Sequence, residues 1–179
     1  MHHPRTLRRP TVHRAPVPRP PAPVLPPGLD WGASGWAGLV AGAAFILLQT
    51  FAGTVFGGGG KTEAVRRLAS VALGESVLAG GEQYTAIVFL AAAAVHIPLS
   101  LIYARVLAAI IHGMPMARAL GVGALFGAGL YFLNYHVISG IFPWFVSARG
   151  AAALIAHLAF GLLAAGIYTG LTRPEPPPA

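Results

Sequence analysis

Phe142-Pro143-Trp144-Phe145-Val146-Ser147-Ala148-Arg149 separates two long apolar runs, 119–141 and 150–172. Each run is close to the ~20 residues that carry an α-helix across a bilayer core. Aromatic side chains and an arginine between two such runs belong at a headgroup region. The stretch therefore predicts a tight hairpin between two membrane-spanning helices.

Composition extends that reading to the whole chain. Of its 179 residues 55% are hydrophobic and 9% charged, whereas soluble domains use roughly 25% charged residues. A soluble core is excluded on that basis. The formal net charge of +7 does not point to nucleic acid, because five of the twelve basic residues (Arg5, Arg8, Arg9, Arg14, Arg19) share one N-terminal tail. Beside a membrane segment they read as a topology signal or an anionic-lipid contact. Without cysteine there is no disulfide, thiolate metal site or cysteine nucleophile.

Residues 1–29 are rich in proline and arginine and lack periodicity, which predicts a disordered cytoplasmic tail, retained in the mature protein. Residues 30–173 form the membrane domain, and 174–179 a short Pro-rich end. The first span covers about 31–56 and carries Gly38 and Gly42, a pair that admits a second helix closely; Gln49 lies deeper in it. The polar interval 61–83 predicts an external loop with a surface helix, its apolar face formed by Val65, Leu68 and Ala72, with Leu78 extending it. The second span, about 86–111, places His96, Ser100 and Tyr103 on one face, with a kink expected at Pro98; Ala92→Leu is expected to do little. A turn over 112–118 leads to the third span, 119–141, which holds Gly123, Gly127, Tyr131 and Asn134. In the fourth, 150–172, His157, Gly161, Ala164 and Tyr168 form a stripe. The fold class is all-α: a polytopic bundle of four transmembrane helices.

The spans also repeat. Gly38, Gly42 and Gln49 have the mutual spacing of Gly123, Gly127 and Asn134, and the sequence around His96 parallels that around His157. This predicts two helical hairpins repeated in parallel about an approximate two-fold axis along the membrane normal. Leucine at Gly42 and at Gly127 is then expected to be comparably damaging. Counting helical rise puts Gln49, His96, Asn134 and His157 at one depth, a polar layer to which Tyr103, Tyr131 and Tyr168 contribute hydroxyls.

Three roles follow for that layer. It is interhelical glue in an accessory or structural bundle; or it belongs to a small transporter or proton relay; or His96 and His157 ligate haem b axially. The first is the leading expectation, with no enzyme activity, no cofactor and no metal site. The expected partners are the lipid bilayer and a homo-oligomer or larger membrane complex. With four spans both termini share a side, and eight basic residues on that side against four opposite place both termini in the cytoplasm of a bacterial cytoplasmic membrane.

The stretches 95–104, 125–135, 142–149 and 156–161 resemble a group of small bacterial four-helix membrane proteins, sometimes labelled sodium:proline symporter. The likeness spans 35–172 and implies the four-helix fold. It implies no activity, since sodium-coupled symporters resemble a much longer fold of inverted repeats with broken helices.

Overall fold

Apolar runs of this length have one way to satisfy their backbone in lipid, the helix. The computed structural model describes residues 28–55, 62–80 and 85–172, and the Pro-rich ends and the glycine run 57–60 lie outside them. Its α-helices are α1 (Trp31–Val55), α2 (Glu63–Leu73), α3 (Ala86–Ile111), α4 (Met116–Phe132) and α5 (Ala151–Leu171). A π turn at Leu133–Val137 and a 3-10 turn at Ile138–Gly140 prolong α4. Four segments, Trp31–Val55, Ala86–Ile111, Met116–Gly140 and Ala151–Leu171, are long and apolar enough to cross a membrane. Large apolar side chains such as Phe51, Phe89 and Leu125 are exposed along them, as lipid-facing positions are.

The third span starts at Met116 instead of Ala119, and the turn before it is correspondingly shorter than expected. Gly113 ends the α3 side of that turn with φ 74°, a left-handed conformation that suits glycine. Pro115, with φ −64° and no N–H to satisfy, opens α4. Pro98 lies inside α3 without ending it. The link between α4 and α5 is a 3-10 helix, Pro143–Ala148, again opened by proline.

Glycines set the helix spacing. Gly38 lies against Ser100 and Ala104 of α3, and Gly42 against Ser100 and His96. Gly123 lies against Gly161 and Ala165 of α5, and Gly127 against His157. One constant offset maps the α1 glycines onto those of α4. A second maps His96, Ser100 and Ala104 onto His157, Gly161 and Ala165. The duplication is thus reproduced contact by contact. The two-fold arrangement is not: α1 packs extensively on α5, whereas α3 meets α4 sparsely, and a two-fold axis would make those two contacts equal. The hairpins lie side by side, with α5 and α1 in the middle and the α3–α4 side loose.

The helix expected within 61–83 forms as α2, followed by a 3-10 turn at Glu75–Ala79. Its buried face differs from the expected one. Val65 and Ala69 pack on Val88 and Ala92 of α3, with Leu68 alongside, while Ala72 is exposed. Ala92 therefore belongs to a packed seam. Ala92→Leu is expected to cost about 1–3 kcal/mol by overpacking, read by thermal unfolding together with faster amide exchange across 63–73. Trp144 Nε1 donates to Ser70 Oγ at 2.8 Å, tying α2 to the 143–148 link. Arg66 donates to the carbonyls of Val77 (2.9 Å) and Gly80 (3.2 Å), which folds the chain after α2 back onto it.

Candidate functional site

Where the facing residues are glycine, alanine and serine, the helices touch. Nearer the α2 end they carry Phe45, Leu130 and Phe160 together with polar side chains, and the helices stand apart around a cavity of about 480 Å³. Gln49 reaches it from α1, His96, Ser100 and Tyr103 from α3, Asn134 and Tyr135 from the π turn, and His157 from α5. Arg67 of α2 and Arg149 of the link line it as well.

The hydrogen bonds of the layer have fixed directions. Carbonyl oxygens only accept, so the His157 Nδ1–H donates to the Ala153 carbonyl at 2.8 Å. In this neutral tautomer Nε2 accepts, and Asn134 Nδ2 donates to it at 3.1 Å. Asn134 Oδ1 then accepts from the Tyr103 hydroxyl at 3.3 Å. One amide thereby bridges α3 to α5 across the loose side of the bundle. His96 donates through Nε2 to the Gly42 carbonyl at 2.9 Å. Gln49 Nε2 donates to the Tyr135 hydroxyl at 3.2 Å.

Phe45 occupies the space between the two histidines, with ring centroids 5.7 Å from His96 and 4.7 Å from His157. A haem held by both would need the two Nε2 atoms facing a common iron, with the macrocycle plane where the Phe45 ring stands. Each Nε2 is instead engaged with a protein partner. This arrangement does not fit that group.

Of the residues expected in the layer, Gln49, His96, Tyr103, Asn134 and His157 converge on the cavity. Two do not. Tyr168 keeps its place on the α5 stripe but accompanies His112 at the opposite end of the bundle, its hydroxyl 2.8 Å from Nδ1. Tyr131 stacks edge-on against His157 at 5.9 Å behind the cavity wall. Gly38, Gly42, Gly123, Gly127 and Gly161 are all at close helix contacts, as their spacing predicts. Tyr135 and Arg149 are site residues that the pattern missed. Tyr135, 5% exposed, follows Asn134 directly, and the widened π turn adds it to the same wall. Arg149 donates from Nε to the Tyr135 carbonyl at 2.7 Å and from Nη2 to Ser139 Oγ at 2.9 Å. Tyr135 lies in the π turn, where the chain leaves α-helical bonding after Phe132; the aromatic cluster Tyr131, Phe132 and Tyr135 was the available signal.

Compared with protein-family models, curated proteins and solved structures, the chain finds no match.

Proposed function

We propose that this chain is a non-enzymatic membrane bundle that holds one small ligand in the cavity under α2, as an accessory binding protein or small carrier. The observation that carries the reading is the convergence of side chains from all four spans on a space they do not fill. Glue requires contact and no void. The cavity is also partly open to its surroundings, so molecules of the membrane phase have access to it. The space is therefore filled in the membrane, by water, lipid or a ligand. Its size lies within the ~300–1,000 Å³ range of small-ligand sites, which are likewise mostly apolar with a few placed polar groups.

Ala52 lines the cavity from α1 and is partly exposed, so a larger side chain there enters the space without disturbing the glycine contacts. Ala52→Phe is expected to abolish saturable binding of an environment-sensitive amphiphilic dye while leaving thermal unfolding within a few degrees of wild type. Equal dye binding by the variant would leave the structural bundle as the function. The haem alternative is set aside because of Phe45. The distribution of basic residues supports a bacterial cytoplasmic membrane with both termini inside. A reporter fused after Ala179 should then behave as cytoplasmic and one inserted at Gly58 as external; the reverse at both sites would invert the orientation.

A further inference from the structure

The reading of the cavity as a ligand site leaves open which molecule it takes, and the charges on its wall bear on that. Among the described residues two arginines line it. Arg67 is neutralised by its ion pair with Glu63. Arg149 is held only by neutral acceptors, the Tyr135 carbonyl and Ser139 Oγ, and no described carboxylate pairs with it. Ala151, Ala152 and Ala153, the first turn of α5, line the cavity next to it and add a field of the same sign. Below Arg149 the wall is apolar, with Phe45, Leu99, Leu130 and Phe160. The polar layer makes little further demand, because its hydrogen bonds run from Tyr103 through Asn134 and His157 to Ala153 and from His96 to Gly42. The site thus combines one unneutralised cation with an apolar trough.

We propose that the ligand is a single-chain amphiphile with a carboxylate head, the head paired with Arg149 and the chain lying along Phe45, Leu130 and Phe160. Guanidinium pairs carboxylate through two parallel hydrogen bonds, and weak hydration lets it do so next to lipid. The volume suggests the length of the chain. At about 30 Å³ per water-sized group, 480 Å³ has room for roughly fifteen non-hydrogen atoms. That is about the size of a medium-length acid.

The test uses the full chain in nanodiscs of zwitterionic phosphatidylcholine, with radiolabelled dodecanoate as the probe and empty nanodiscs as the partition blank. Unlabelled dodecanol is expected to compete at least tenfold more weakly than dodecanoate at equal bilayer concentration, and butyrate to compete negligibly. Arg149→Gln should bring acid and alcohol to the same affinity, and Arg149→Lys should keep most of the acid preference. An alcohol as good as the acid in the wild type, a comparison that needs no variant, would overturn the carboxylate head. So would an acid preference that survives Arg149→Gln. Butyrate matching dodecanoate would overturn the chain. If acid and alcohol bind equally and Ala52→Phe abolishes both, the cavity is a ligand site without charge selection. Binding of neither, or binding indifferent to Ala52→Phe, removes the ligand site itself.

Discussion

Gly161→Leu is expected to leave no folded bundle in mild detergent at room temperature. A Cβ at this position would overlap the Gly123 carbonyl and stand 3.0 Å from the Gly127 nitrogen. Both obstacles are backbone, so no rotamer change relieves them and α4 must move off α5. Overpacking against side chains costs about 1–3 kcal/mol; against a rigid backbone a loss of roughly 3 kcal/mol or more follows. In lipid no hydrophobic term restores the separated contact. Gly127→Ala meets the same kind of obstacle in the His157 carbonyl. Gly42→Ala does not, because its nearest obstacle is a side-chain atom, Ser100 Oγ, at 2.5 Å. The losses at Gly42 and Gly127, comparable by sequence, are therefore expected to differ, with Gly127 the more severe. Adding Ser100→Gly should recover part of the Gly42→Ala loss, since Gly161 stands at the equivalent place in the second hairpin. Gly166→Ala is the control, with Leu120 Cδ2 at an ordinary 3.6 Å. Scanning fluorimetry of the set decides it: Gly161→Leu melting within a few degrees of Gly166→Ala would refute the backbone contact.

The difference between those glycines marks where sequence stops being informative. Four apolar runs in a chain this short leave little choice of fold, and the few polar residues inside them, Gln49, His96, Asn134 and His157, were bound to seek one another. Their convergence was therefore legible. Which helices would neighbour which was not, because the short turn from α3 to α4 suggests an adjacent pair, whereas side-chain volume lets α3 drift from α4. Tyr168 was misplaced for a reason that the sequence already held. Its stripe is right, but at ~1.5 Å per residue it sits roughly 16 Å from His157 along α5, too far for one layer. The π turn is the second limit, since apolar periodicity carries no mark of one extra residue in a turn. With it went Tyr135 and the carbonyl that orients Arg149, so Arg149 read only as an interfacial anchor.

Asn134→Asp is expected to destabilise the bundle by about 3 kcal/mol or more, well beyond Asn134→Leu, although aspartate is nearly isosteric. The reason lies in the direction of the hydrogen bonds. Asn134 serves His157 Nε2 as a donor and the Tyr103 hydroxyl as an acceptor at the same time. Leucine removes both partners, and intramembrane hydrogen bonds of this kind are worth ~0.6 kcal/mol on average and ~1.7 at most, so a loss near 1 kcal/mol follows. A carboxylate keeps the acceptor for Tyr103 but turns a second acceptor toward Nε2, whose lone pair faces it because Nδ1 holds the proton on the Ala153 carbonyl. Acceptor then opposes acceptor, and a carboxylate to which no cation is hydrogen-bonded, Arg149 being held by Tyr135 and Ser139, stands in a low-dielectric wall, a situation that costs about 3–5 kcal/mol. Tyr103→Phe serves as the third variant. It should cost less than Asn134→Leu and couple to it in a double-mutant cycle, because both remove the same bond. Thermal unfolding at neutral pH measures all of these. An Asn134→Asp variant as stable as Asn134→Leu would refute the opposed acceptors, because a proton or water would then have to reach the contact between residue 134 and His157 Nε2.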